Sequence, residues 1–116
     1  MIRGDVWLIN LDPTVGAEIK KTRPVVVVNS DAMGILPLRV VVPLTDWKDR
    51  YSQAAWMVKI NPNANNGLSK DSAADTFQIR SISTNRFIRK MGVIEYEQLN
   101  QIVRSIMLVV EYPLNN

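Results

Sequence analysis

The residues able to do chemistry gather in a few places. Arg23 stands at the hinge between a polar loop, Gly16-Ala17-Glu18-Ile19-Lys20-Lys21-Thr22, and an apolar run from Val25 to Val28. Pro24 fixes its own φ and biases Arg23 toward extended backbone. An arginine on so stiff a base, where a polar loop meets a core, is suited to gripping a phosphate. Glu18, Lys20 and Lys21 share its loop, and Asn29 follows the valine run. Thr45 and Asp46 end a second apolar run, and Trp47 follows in a polar context. Gln78 and Arg80 flank Ile79 and so share one face of a strand. Each residue also has a plainer role. Arg23 could pair with Glu18 on the surface, where such pairs contribute little. Gln78 and Arg80 could be a wet strand face, and the lysines simply solvated.

The missing residue types narrow the chemistry further. The sequence has no cysteine and no histidine. That excludes disulfides and thiolate sites, and it removes the commonest metal ligand and general base. Hydrolytic chemistry must run on carboxylates, hydroxyls, lysine or arginine, with no metal or cofactor expected. The formal charge of +3 fits an anionic partner without demanding one. No apolar run approaches the roughly 18 to 20 residues of a membrane span. The opening Met1-Ile2-Arg3-Gly4-Asp5 has no signal-peptide pattern, so the expected location is the cytoplasm.

These residues need elements to hold them. Val6–Ile9 reads as a strand, followed by a turn at Asn10-Leu11-Asp12-Pro13-Thr14. Val25–Val28 is the second strand, and 29–34 is a connection with room for one helical turn. Leu38–Val42 is the third strand. Pro43 predicts that it ends there or lies at an edge. Ala55–Ile60 is the fourth, followed by a polar loop that ends on the Asn66-Gly67 turn signal. Ala73–Ile79 is the expected fifth strand, Arg80–Asn85 a turn, and Phe87–Ile94 a short sixth strand. Leu99, Ile102, Val103 and Ile106 then follow helical spacing, with Glu95 and Glu97 where the helix dipole favours acids and Tyr112-Pro113 closing the segment. One domain over 1–116 is expected. It is mainly β with a C-terminal helix: a small, strongly bent sheet or barrel capped by that helix. Met107-Leu108-Val109-Val110 is apolar beyond the needs of one stripe, which suggests a partner surface.

The combination of motifs resembles the MazF/PemK (Kid) family of toxin endoribonucleases. The matching residues are Arg3-Gly4-Asp5-Val6-Trp7, Leu11-Asp12-Pro13, Gly16-x-Glu18 and Arg23-Pro24, the strand ending in Thr45, and Gln78-Ile79-Arg80-Ser81-Ile82. The resemblance implies an SH3-like small β-barrel of the CcdB/Kid/MazF type, acting as a homodimer. It implies metal-independent cleavage of single-stranded RNA. It also implies a cognate MazE-like antitoxin whose acidic tail covers the RNA groove. Arg23 and Thr45 would be the catalytic pair. Glu18, Lys20, Lys21, Asn29, Asp46, Trp47, Gln78 and Arg80 would contact substrate.

The departures from the family pattern are specific. Ala17 stands where some members have a histidine before the loop glutamate. Asp75 and Phe77 occupy the positions where the PemK/Kid branch has an arginine and an aspartate, which favours the Arg23/Thr45 version. Ile19-Lys20-Lys21 replaces the Gln and Gly of many relatives, giving a stiffer, more basic loop with altered RNA preference or more salt-dependent binding. Two alternatives use the same barrel: a CcdB-like toxin that binds gyrase, and a degenerate toxin that binds antitoxin or RNA without turnover.

Overall fold

A computed structural model describes residues 1–113. Among them, seven strands precede one helix: β1 (Asp5–Asn10), β2 (Thr22–Val27), β3 (Leu38–Asp46), β4 (Met57–Ile60), β5 (Ser72–Asp75), β6 (Arg80–Ser83), β7 (Phe87–Val93) and α1 (Tyr96–Val109). All pairings are antiparallel, in the order β4-β5-β3-β2-β1-β7, with β6 also on β3. The path does not close, yet its strands wrap a barrel-like core. The mainly β fold with a C-terminal helix is the one expected from sequence.

The valine run is continuous because both of its faces are buried. Val26 and Val28 join Val6, Val42, Leu44 and Ile60 in one core, which Leu99 and Ile102 of α1 cover. Val25 and Val27 join Ile9, Leu11, Val41 and Ile82 in the other. Alternation along β2 therefore feeds two cores from one strand.

Several boundaries differ from the sequence expectation: β2 starts earlier, at Thr22, β4 starts later, at Met57, and three further differences bear on the site. β3 does not stop at Pro43 but continues to Asp46, in the interior of the sheet. On one side it pairs with β2 through Val25↔Pro43. On its other side β6 is the partner up to Val41, and β5 takes over from Leu44. The Val40 amide and carbonyl both face the β2 side, to Asn29 and Val28. By alternation the nitrogen of Pro43 points the other way, into the gap between the two partners, where no ladder bond is lost. β5 ends at Asp75 instead of reaching Ile79. The Asp75 carboxylate accepts the Phe77 amide at 3.2 Å and turns the chain into a 3₁₀ turn, Thr76–Gln78. Arg80–Ser83, expected as a turn, is β6, because the chain leaving the 3₁₀ turn meets the free edge of β3.

The N-terminal Arg-Gly-Asp-x-Trp block is a structural fastener. Arg3 donates from its backbone to Asp31 at 2.8 Å and from its guanidinium to the Val28 carbonyl. Gly4, at φ 91°, donates to the Val27 carbonyl at 2.8 Å. The buried Asp5 carboxylate accepts from Ile2 N at 3.0 Å and Trp7 Nε1 at 3.2 Å, with Lys90 Nζ at 3.4 Å. Burial works against its charge, but these donors outweigh it and hold its pKa below the ordinary value. Backbones touch closely at Gly67 and Gly92, where an added Cβ would meet the Met91 and Asn65 carbonyls, each at 2.2 Å. There the polar loop docks on β7, fastened by the fully buried Asn66. Among the described residues no helix is long and apolar enough to cross a membrane.

A depressed folded pKa stabilises above the unfolded value, and that stability is lost as pH falls through the folded pKa. Asp5→Asn should therefore cost about 2 kcal/mol near neutral pH, with the deficit shrinking toward zero in acid. Urea denaturation of both proteins across pH 2–7 checks this, and a pH-independent deficit would contradict it.

Candidate nucleic-acid interface

Arg23 and Thr45 lie on neighbouring strands. The β2–β3 register includes Val25↔Pro43. Continued two residues, it sets Arg23 opposite Thr45, on the face that carries Val25, Val27 and Val41. Both residues are half-buried. The Nε of Arg23 is buried without a hydrogen-bond partner. Among the described residues Arg23 makes no ion pair, with Glu18 or any other acid. A desolvated guanidinium donor left idle is costly.

The β1–β2 loop folds over toward the same face. Gln78 is its clasp. Gln78 Oε1 accepts from Ile19 N at 2.5 Å, and its Nε2 donates to Asp75 Oδ2 at 3.1 Å and to the Ala17 carbonyl at 3.3 Å. Glu18 Oε1 accepts from Val15 N at 2.6 Å, which stiffens the loop tip. Lys21 takes a left-handed φ of 69°, and its amide donates to Asp12 Oδ1 at 3.0 Å. Between loop and 3₁₀ turn lies a cleft of about 440 Å³ lined by Glu18, Ile19, Pro43, Phe77, Gln78 and Arg80, among others. Pro43 stands two residues before Thr45 on the same face, so the cleft adjoins the Arg23–Thr45 pair. Arg80 is held there by a bond to the Leu11 carbonyl at 3.4 Å. Lys20 and Lys21 are exposed where the loop enters β2.

Not every expected residue joins this cluster. Asn29 lies past the opposite end of β2, roughly 20 Å from Arg23 at strand rise. Its amide is committed to Val40 N and the Ser30 carbonyl, each at 3.0 Å. Its part is closing the β2–β3 connection. Asp46 is exposed and ion-paired with Lys70 at 3.1 Å. Trp47 stands under Lys59 Nζ, 5.2 Å from the ring centroid, and edge-on to Tyr51 at 5.8 Å. Asp46 ends β3 and Trp47 follows it, and neither lines the cleft. Gln78 lines it, but its amide groups already serve the loop.

Sequence reasoning missed the frame beneath the clasp. The Thr76 and Ser105 hydroxyls lie 2.9 Å apart in the interior, and they also reach the carbonyls of Trp56 at 2.8 Å and Ala55 at 2.7 Å. They tie α1 to the 3₁₀ turn that carries Gln78. The signal was Ser105, a lone hydroxyl three residues after Ile102 on the helix's apolar stripe. Asp75 is nearly buried. Burial raises its pKa, against the opposing bonds from Gln78 and Phe77. No three His, Cys, Asp or Glu side chains converge as a metal site among the described residues.

A family model described as PemK-like, MazF-like toxin of type II toxin-antitoxin system matches residues 2–110. The chain belongs to this toxin family. Among its relatives is the endoribonuclease MazF9 of Mycobacterium tuberculosis, 32% identical over 114 residues, covering 93% of this chain and 94% of that protein. Two solved structures show the toxin fold. A MazF from Deinococcus radiodurans superimposes with a TM-score of 0.79 at 19% identity, covering 96% of each chain. An endoribonuclease in complex with its cognate antitoxin, from a mycobacterial species, has a TM-score of 0.77 at 16% identity, covering 99% of each.

In this toxin the loop's position depends on one side chain, and that can be measured. Gln78→Ala should cost only about 1 kcal/mol of stability. Hydrogen exchange at the Ile19 amide should nevertheless rise at least about tenfold, because the loop loses both clasp bonds. Unchanged exchange at Ile19 would show that the clasp does not hold the loop.

Proposed function

We propose that this toxin is an endoribonuclease that cuts single-stranded RNA at short sequences in mRNA. Family membership supports the substrate class, and the relative from M. tuberculosis is by name an endoribonuclease. One observation carries the mechanistic reading: a half-buried arginine with an idle donor, on the strand next to the one that carries Thr45.

RNA brings its own nucleophile. The 2′-oxygen loses its proton and bonds to the adjacent phosphorus. The bond from phosphorus to the 5′-oxygen breaks, and that oxygen gains a proton. The products are a 2′,3′-cyclic phosphate and a 5′-hydroxyl end. Charge builds on the non-bridging phosphate oxygens, and Arg23 stabilises it with fork-like hydrogen bonds. Thr45 donates one more bond to the same phosphate. The guanidinium stays charged throughout. Lys20 and Lys21 take flanking phosphates, which makes binding steeply salt-dependent. Glu18 and Arg80 face the bases or sugars in the cleft, Gln78 lines it while holding the loop, and Asp46 and Trp47 continue the path past Thr45. Single-stranded bases are read by stacking and edge contacts of this kind.

The toxin acts in the cytoplasm, as a homodimer, against a MazE-like antitoxin with an acidic tail. The mycobacterial relative solved with its cognate antitoxin supports the partner. Exposed Leu108 and Val110 at the end of α1 support self-association. A gyrase-binding role for the same barrel is not favoured, given the ribonuclease relatives.

Purified protein should cut single-stranded RNA in EDTA and leave 5′-hydroxyl ends. Arg23→Ala should lower the rate by about 10²–10³ or more while the fold persists. Full activity in that variant would remove Arg23 from the reaction. Sedimentation at micromolar concentration should show a dimer, and a monomer would count against self-association.

A further inference from the structure

A second cleft, of about 280 Å³, opens beside the first and is walled by Trp56, Asp75, Phe77 and Gln78. We propose that it is a guanine subsite, in which the Asp75 carboxylate accepts from the N1–H and N2–H groups of the base while one of the two aromatic rings stacks on its face. This rests on the reading of the protein as an RNA-cutting toxin and adds to it a specificity-determining residue.

Three observations converge. First, Trp56 is 43% exposed and Phe77 67% exposed, with ring centroids 6.4 Å apart and planes at 69°. Phe77 stands in a short 3₁₀ turn and Trp56 just before β4, so each ring offers a face to solvent. Aromatic side chains in that state are stacking platforms for unpaired bases. Second, the Asp75 carboxylate between them is only 5% exposed and has no cation partner among the described residues. Its Oδ1 accepts from Phe77 N at 3.2 Å and its Oδ2 from Gln78 Nε2 at 3.1 Å, and the Gln78 backbone amide also acts on the carboxylate. A carboxylate has about four acceptor positions, so acceptor capacity remains for an incoming base. A desolvated carboxylate gains most from N–H donors that reach both oxygens at once.

Third, Phe77 and Gln78 line both clefts. A strand whose phosphate lies by Arg23 and Thr45 can therefore reach the second cleft with a nearby nucleotide.

The choice of base follows from donor pattern. Guanine has two adjacent donors on its Watson–Crick edge. Uracil has one donor flanked by acceptors, and adenine and cytosine each set an acceptor beside their amino group. Acceptors facing a carboxylate are repelled. The Gln78 clasp also fixes the carboxylate's angle, so the subsite is formed before the base arrives.

Nucleosides titrated into the full-length protein, followed by amide and indole NMR shifts, test the subsite without relying on cleavage. Guanosine should shift the Trp56 indole and the Phe77 and Gln78 amides. Inosine, which lacks the N2 amino group, should bind at least about fivefold more weakly, and adenosine more weakly still. Asp75→Asn keeps the turn-capping acceptor and should erase the difference between guanosine and inosine. The inosine comparison uses the unaltered protein and holds even if that variant misfolds. Sequencing of cleavage ends should place guanine at one fixed distance from the cut. The absence of guanosine shifts at these residues, as a second copy of the chain covering Trp56 and Phe77 would cause, overturns the subsite. So do equal responses to all nucleosides. RNA cut without any guanosine response sinks the subsite alone. A guanosine response without cutting sinks the ribonuclease reading and leaves the subsite standing.

Discussion

Pro43 has no amide hydrogen to give, and β3 uses that at the one place where nothing would receive it. β3 holds β2 on one side and changes partner on the other, from β6 to β5, across this residue. The change of partner lets one strand serve the barrel-like core and also present its last residues beside β2. Thr45 reaches the level of Arg23 because β3 does not stop at the proline. A residue that supplied an unpaired amide there would leave a buried donor unsatisfied. The pair proposed to grip the phosphate thus depends on a backbone constraint two residues away.

The second layer of organisation is polar and buried. Ser105 of α1 meets Thr76, and the turn that Thr76 starts carries Phe77 and Gln78. Gln78 in turn holds both the β1–β2 loop and Asp75. The helix therefore supports the cleft wall through hydroxyls and one amide as well as by packing on the 3₁₀ turn. Networks of this kind are stiff when fully satisfied. Loop, carboxylate and aromatic ring are set by a common frame, so a change at Gln78 would be felt at all three.

Much of the fold was legible because its signals are local. Valines 25–28 declared a strand buried on both faces, and the Leu99–Ile106 spacing declared the helix. What failed was partner-dependent. Pro43 reads as a strand end unless one knows that its neighbours change there. Arg80–Ser83 reads as a turn unless β3 has a free edge to receive it. Within the candidate site, the hinge at Arg23 was visible, while the place of Asn29 at the far end of β2 was not, because proximity to β2 in sequence says nothing about which end faces the cleft. The Asp75–Gln78 bond was hidden because a 3₁₀ turn over three residues leaves little periodic signature. The N-terminal block, the most recognisable stretch of sequence, turned out to fasten the barrel and not to line the cleft.

The central claim is that one phosphate is gripped from two adjacent strands. A crystal structure with an RNA whose attacking 2′-hydroxyl is replaced by hydrogen tests it most directly. The account predicts the scissile phosphate within hydrogen-bonding distance of both the Arg23 guanidinium and the Thr45 hydroxyl, with the β1–β2 loop beside the strand. A scissile phosphate seated away from both residues would contradict it.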